Sequence, residues 1–307
     1  MKEVLVILAA YNGGKYISEQ LSSILEQKDV NVHIKVYDDV SSDNTVEVVK
    51  TFVEDDRIEL IQNIVGHGSA ASNFFNAIST LSENTIKEYN YVSFSDQDDL
   101  WLPNKLNAAV NVLLQENSSL YCSNLLLWNE RTDKTSIIKK SYSQTNYDYL
   151  FEGGSAGCTY VFTSEFCLKL KKIIGATDYF DWQYFSHDWF VYFYARISKC
   201  KVSIDKNIYI KYRIHSNNVH GQLNQKSLFA ISERLKLIKK GWYFKQIREF
   251  VKLTDVGSPE KKIYELYYRN YFTRLYILLR YNFSLIRSNK KFIQFFITSL
   301  LPIRINK

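Results

Sequence analysis

Three carboxylates stand within four residues at Asp96-Gln97-Asp98-Asp99, directly after the apolar run Tyr91-Val92-Ser93-Phe94. Carboxylates this close repel one another unless a positive charge joins them. Mg2+ or Mn2+ would suit, because both prefer hard oxygen ligands and complete their shells with phosphate oxygens. The competing reading is a turn in which Asp96 caps a helix beginning near Pro103. More residues able to do chemistry flank the cluster, with Tyr11-Asn12 and Asp38-Asp39 upstream and His187-Asp188-Trp189 and Tyr212-Arg213-Ile214-His215 downstream. Helix capping competes for Asp39, Ser42, Asp43 and Asp188, and a structural role competes for His215.

The elements that must position these groups are legible in the first hundred residues. Short apolar, β-branched runs alternate with amphipathic stretches, the pattern of a parallel sheet covered by helices. Val4 to Ala10 precedes a helix with Ile17, Leu21, Ile24 and Leu25 in register. Val32 to Tyr37 precedes one carrying Val46, Val49 and Val53, and Arg57 to Gln62, Ser72 to Leu81 and Tyr91 to Ser95 continue the βαβ series. Ligands of open α/β sheets bind beyond the carboxyl ends of the strands, which is where Tyr11, Asp38-Asp39 and Asp96 to Asp99 fall. From Trp101 to about Tyr212 the pattern is less regular, with strands expected at Leu120 to Trp128, Thr159 to Thr163 and Lys201 to Ile204. Gly153 to Gly157 reads as a loop.

The chain of 307 residues is 46% hydrophobic and 23% charged, enough to bury one large or two modest cores, and it has no repeat or low-complexity segment. Four scattered cysteines without a Cys-x-x-Cys pair point to neither a zinc site nor a disulfide framework, and a reducing cytoplasm is the natural setting. Val4 to Ala10 is too short for a secretory signal and reads as a buried strand. The net charge of +7 hides an asymmetry. Residues 222–307 hold 18 Lys and Arg against 5 Asp and Glu, net +13, which leaves 21 against 27, net −6, for the rest. In this basic rear Leu228, Ile231, Leu235 and Ile238 share one helical face, and Tyr264, Tyr267, Tyr268, Tyr271, Leu275 and Leu278 form an aromatic stripe. A bundle core with a solvated basic face explains it, as does docking to an anionic membrane surface. No nucleic-acid-binding fold is recognisable. The last apolar run, Phe292 to Ile303, is broken by Gln294, Thr298 and Pro302 and falls short of the ~20 residues of a membrane span.

Taken in order, these motifs and the run Asp-Gln-Asp-Asp-Leu-Trp-Leu-Pro-Asn-Lys resemble family 2 glycosyltransferases over residues 3 to 221. The Asp-Gln-Asp-Asp-x-Trp and His-Asp-Trp spellings are most similar to the bacterial rhamnosyltransferase-like branch. The resemblance implies an α/β GT-A nucleotide-diphospho-sugar transferase fold, a mostly parallel central sheet flanked by helices, in residues 1–221. A basic, aromatic-rich helical extension would occupy 222–307. It implies Asp98 and His215 as ligands of Mn2+ or Mg2+, Asp96 and Arg213 toward the ribose and diphosphate, and Ala9 and Tyr11 against the nucleobase. Asp39 would accept a hydrogen bond from a pyrimidine N3–H. Asp188 would be the catalytic base, with Gly154, His187 and Trp189 on the acceptor side. His187 stands where many members carry Glu, and Asp99 receives no role.

The function so implied is metal-dependent, inverting transfer of a sugar from a dTDP- or UDP-sugar, with L-rhamnose from dTDP-rhamnose as the named case. The acceptor would be a lipid-linked cell-surface polysaccharide precursor, met by a cytoplasmic protein peripheral to the inner face of the membrane. Two rivals stand beside it. A sugar nucleotidyltransferase would carry a glycine-rich basic loop after the first strand, of which Gly13-Gly14-Lys15 is a short echo. A non-catalytic, membrane-associated protein could keep the fold without turnover.

Overall fold

The chain is described by a computed structural model over residues 1–176, 185–215, 236 and 241–301. The helical face at Leu228, Ile231, Leu235 and Ile238 lies outside the described residues.

The expected alternation resolves into β1 (Lys2–Ala10), α1 (Ile17–Leu25), β2 (Val30–Asp38), α2 (Thr45–Lys50), β3 (Ile58–Gln62), α3 (Ala70–Thr80), α4 (Glu83–Glu88) and β4 (Tyr91–Ser95). β1 reads as an unbroken apolar run because both of its faces are covered, and it is buried from Val4 to Ala10. It pairs in parallel with β2 on one side and β4 on the other, with Ala10 opposite Asp38 and Leu8 opposite Ser95. That register brings the three strand exits to one edge. Tyr11, Asp39 and Asp96, spread over 85 residues of sequence, therefore leave the sheet together.

The chain continues through β5 (Leu100–Trp101), α5 (Lys105–Glu116), β6 (Leu120–Asn129), β7 (Lys134–Ile138), β8 (Val161–Thr163), α6 (Ser164–Gly175), α7 (His187–Ile197) and β9 (Val202–Arg213). The sheet order is β3-β2-β1-β4-β8-β6-β9-β5, with β7 added to β6. The parallel pairing expected of most of the sheet holds for β3-β2-β1-β4. Beyond β4 it is mixed, since β8 runs antiparallel to β4 and β6, and β5 antiparallel to β9. Local connectivity forces part of this. The link from β6 to β7 is far shorter than a parallel crossover needs, so the two form an antiparallel hairpin.

By its contacts the chain divides into two compact units, Met1–Ser141 with Gly154–Gly221, and Tyr142–Gly153 with Gln222–Lys307. Segment 142–153, read from sequence as part of the first region, thus belongs with the second. Its carboxylates explain why. Buried Arg287 pairs with Asp148 (3.2 Å) and Glu152 (3.1 Å), and Tyr149 Oη donates to Glu260 Oε1 (2.8 Å). The second unit contains helices Trp242–Phe250, Pro259–Arg269, Tyr271–Tyr281 and Asn289–Ser299 around a core of Phe151, Phe244, Tyr264, Tyr267 and Phe295. The aromatic stripe spans two helices rather than one. Asn270 is extended and caps the second, its Oδ1 accepting from Thr273 N–H (2.9 Å), so Tyr264 and Tyr267 are buried while Tyr268 and Tyr271 are exposed. Among the described residues no helix is long and apolar enough to cross a membrane.

Candidate active site

At the end of β4 the chain turns through the acidic cluster, and Gln97 fastens that turn to the exit of β1. Its Nε2 donates to Tyr11 O (2.9 Å) and its Oε1 accepts from Tyr11 N–H (2.8 Å). A Cβ on Gly13 would lie 2.1 Å from Gln97 Oε1, so the glycine is what admits this clip. Asn12, at φ +49°, fastens the exit of β1 to that of β2, its Oδ1 accepting from Ser42 N–H (2.8 Å). Gly14 N–H is taken by Asp43 Oδ2 (3.1 Å), and Lys15 Nζ donates to Tyr16 Oη (2.8 Å). Gly13-Gly14-Lys15 is thus occupied by the protein's own side chains. Sequence reading missed Gln97, although its place between two aspartates was a signal that its type mattered.

His215 Nε2 lies 2.8 Å from Asp98 Oδ2, each side chain being 16% exposed, and the imidazole stacks on Tyr16 at 4.8 Å. Arg213 holds this segment in place. It is fully buried, its Nε donates to Asp98 O (3.0 Å) and its backbone N–H to Asp99 Oδ1 (3.2 Å). Its remaining nitrogens pair with Glu19 and Glu130, and the guanidinium sits over the rings of Tyr16 (4.7 Å) and Trp128 (4.8 Å). The guanidinium expected to reach a diphosphate is thus engaged by the protein's own groups. Two carboxylates and two rings already hold its head, which makes it a positioning residue for Asp98 and His215.

Burial and crowding of carboxylates set the electrostatics of the cluster. Burial, then Asp98 and Asp188, push the half-buried Asp96 up to about 7. Burial, then Asp98 and Asp96, hold Asp99 well above the usual carboxylate range, and among the described residues its buried Oδ2 has no hydrogen-bond partner. Asp96, Asp99 and Cys158 bring ligand atoms within 4.8 Å of one another. This tight set differs from the expected pair Asp98 and His215. Cys158 and Asp99 are buried, and burial raises the Cys158 thiol as well, which suits a closed interior rather than a hydrated hard cation. The more open pair of carboxylate oxygen and imidazole nitrogen, beside crowded carboxylates, fits Mn2+ or Mg2+ better.

Below the cluster Lys105 is buried, its Nζ donating to Ser93 Oγ (3.1 Å) and lying 3.3 Å from the Trp101 ring centroid. Burial pulls its pKa from 10.5 down to about 7. In that window the unfolded chain binds a proton that the folded chain lacks, so stability rises with pH, by up to about 1.4 kcal/mol per unit. Lys105→Met is expected to flatten the rise in urea-unfolding free energy between neutral and alkaline pH. Parallel profiles for the two proteins would show that Lys105 keeps its charge on folding.

Asp39 is buried at the exit of β2, where its Oδ1 accepts from His67 N–H (2.8 Å) and Asn63 Nδ2 (3.0 Å), and its Oδ2 from Gly68 N–H (3.1 Å). Asn73 completes the group through Asn63. Oδ2 keeps capacity for a further donor, as recognition of a pyrimidine N–H requires. Tyr11 is exposed and Ala9 buried.

Asp188 lies in the first turn of α7. Its Oδ1 accepts from Trp189 N–H (2.7 Å) and Ser186 Oγ, while Oδ2 has no protein hydrogen bond among the described residues. Its charge is felt at Asp96, so the expected base and the expected donor-side carboxylate are neighbours. The residues expected on the acceptor side support it from within. Trp189 is buried, and Gly154 packs where a Cβ would meet Tyr192 (2.9 Å) and the hydroxyl of Tyr160 (3.0 Å), which itself donates to Asp188 O (3.0 Å). His187 lies against Phe74 (4.8 Å) and Phe94 (5.9 Å), and a Cβ on Gly157 would stand 2.2 Å from its Nε2. These three fix the start of α7.

The family model described as Glycosyl transferase family 2 matches residues 5–167, just over half of the chain. The chain belongs to glycosyltransferase family 2. The glycosyltransferase is 35% identical to the dTDP-rhamnosyl transferase RfbG of Shigella flexneri over 242 residues, 78% of this chain and 82% of that protein. It is 32% identical over 160 residues to the UDP-Glc:alpha-D-GlcNAc-diphosphoundecaprenol beta-1,3-glucosyltransferase WfgD of Escherichia coli, of which it spans 57%. Among solved structures, Staphylococcus aureus TarS 1–349 in complex with UDP-GlcNAc aligns with a TM-score of 0.58 at 16% identity, covering 98% of this chain and 82% of that one. The mannosyltransferase PcManGT from Pyrobaculum calidifontis, in complex with GDP-Man and Mn2+, aligns at 0.56 and 15%, covering 92% and 73%. The glycosyltransferase therefore has the GT-A fold.

Proposed function

We propose that the enzyme is an inverting transferase that moves L-rhamnose from dTDP-L-rhamnose onto a lipid-linked glycan precursor. On this reading Asp188 Oδ2 takes the proton of an acceptor hydroxyl. The freed oxygen bonds to the anomeric carbon while the bond from that carbon to the diphosphate oxygen breaks, and the electron pair leaves with dTDP. Inversion follows because attack and departure occupy opposite faces, as in single-displacement glycoside chemistry. Asp98 and His215 would hold Mn2+ or Mg2+, which supplies positive charge for the departing diphosphate. Asp39 and Tyr11 would address the pyrimidine, and Asp96 the ribose side. The observation that carries the reading is Asp188 itself, a carboxylate with one oxygen fixed by the chain and one left for substrate, beside Asp96. The rhamnose donor is supported by the similarity to RfbG, and the lipid carrier by the similarity to the diphosphoundecaprenol-dependent WfgD. Such an acceptor would place the work of a cytoplasmic, peripheral protein at the inner face of the membrane.

Calorimetry with dTDP, UDP, GDP and their sugars, with and without Mn2+, tests this. Metal-dependent binding of dTDP and dTDP-rhamnose above the others is expected. Absence of metal-dependent binding or transfer with any dTDP- or UDP-sugar would refute the proposal, and release of pyrophosphate from dTTP would turn it toward nucleotidyl transfer.

A further inference from the structure

Helix Tyr271–Tyr281 turns an unusual face to solvent. Arg274, Ile277 and Leu278 fill its buried side, where Arg274 donates to Tyr267 O (3.0 Å) and Ser299 O (3.2 Å). Phe272 (79% exposed), Tyr276 and Leu279 (60%) then stand outside at spacings of four and three residues, and Phe283 is exposed in the turn just past the helix end. That spacing draws one apolar stripe along the face where charged side chains are ordinarily found. Ile293 and Ile297 repeat it one turn apart on helix Asn289–Ser299, and the Phe283 ring lies 4.9 Å from Phe292 at the start of that helix. No Asp or Glu follows Glu265, whereas eight Lys and Arg do. Three of them, Arg269, Arg280 and Lys290, are exposed.

We infer that this stripe and its basic flank are a docking surface for an anionic lipid bilayer. Exposed aromatic and aliphatic side chains sink into the headgroup boundary, while Arg and Lys at their sides meet lipid phosphates. Charge decides against a second copy of the chain as the occupant. An isologous contact would set basic flank on basic flank, with no carboxylate after Glu265 to pair them. The inference rests on the proposed lipid-linked acceptor, since it names the surface at which that acceptor would be met.

The test is co-sedimentation of the full chain with vesicles of phosphatidylcholine alone or with phosphatidylglycerol added, alongside Mn2+-dependent dTDP binding by calorimetry. The wild type is expected to partition at least about tenfold more strongly onto the anionic vesicles, and less so as salt rises. Phe272→Ser with Leu279→Ser should lose about tenfold or more of this binding, and Arg280→Gln with Lys290→Gln should lower its salt dependence. Both variants should bind dTDP as the wild type does, which also reports that they fold. Equal binding of wild type and serine variant, or no vesicle binding by a wild type that binds dTDP, overturns the surface while leaving the donor reading intact. A wild-type dimer in sedimentation velocity that the serine variant dissolves, without vesicle binding, overturns it in favour of a second copy. Vesicle binding without dTDP binding keeps the surface and removes the donor reading.

Discussion

Asp188→Asn is expected to lower kcat by roughly two to four orders of magnitude while changing donor affinity little. The geometry makes this substitution a clean one. Asparagine keeps an oxygen at Oδ1 for Trp189 N–H and the Ser186 hydroxyl, so the first turn of α7 stays as it is. What disappears is the oxygen that can accept a proton, because a neutral amide has no useful basicity. Steady-state transfer with dTDP-rhamnose, together with calorimetric binding of dTDP, separates the two effects. Turnover within about tenfold of wild type would remove Asp188 from the role of base.

Asp98→Asn is expected to act on the opposite parameter. Excess donor that binds only the folded enzyme stabilises it by RT ln(1 + [L]/Kd), about 2.7 kcal/mol at a hundredfold excess over Kd. In the wild type this stabilisation should require Mn2+ or Mg2+. The amide keeps the shape of the side chain but loses the charge that faces His215 Nε2 at 2.8 Å, so the metal-dependent part of the stabilisation should be lost and the apparent Kd for dTDP raised about 10- to 100-fold. A thermal-shift titration of both proteins, with the metal replaced by chelator as control, reads this directly. Undiminished metal-dependent stabilisation in the variant would show that the cation is held elsewhere, with Asp96, Asp99 and Cys158 the next set to test.

How far these roles were readable from sequence depended on how locally they were encoded. β1 was legible because burial on both faces writes itself as an unbroken apolar run and β2 because its β-branched residues alternate with polar ones, and the convergence of Tyr11, Asp39 and Asp96 followed from the rule for parallel sheet edges. The setting of Arg213 was not legible because its partners, Glu19 and Glu130, lie 194 and 83 residues away, and nothing near Arg213 announces them. Its side chain type suits a diphosphate as well as it suits two carboxylates. His187 and Trp189 stand beside Asp188 in sequence and Gly154 lies in a glycine-rich loop, but helical geometry and the packing around α7 place all three within the protein's own contacts. The break at Asn270 was missed for a different reason. The aromatic spacing runs through it, and only the cap with Thr273 shows that one helix has ended and another begun.

The placement of residues 142–153 in the second unit has a consequence for how the chain is made. Glu152 precedes its partner Arg287 by 135 residues, which at roughly 5–20 residues per second is a delay of about 7 to 27 s on the ribosome. Every strand of the sheet lies before that partner emerges, since β9 ends at Arg213. The sheet can therefore assemble during synthesis around a segment still waiting for its counter-charge. The second unit closes only as the last helices are completed, and a chain cut before them would carry Asp148 and Glu152 without the arginine that neutralises them.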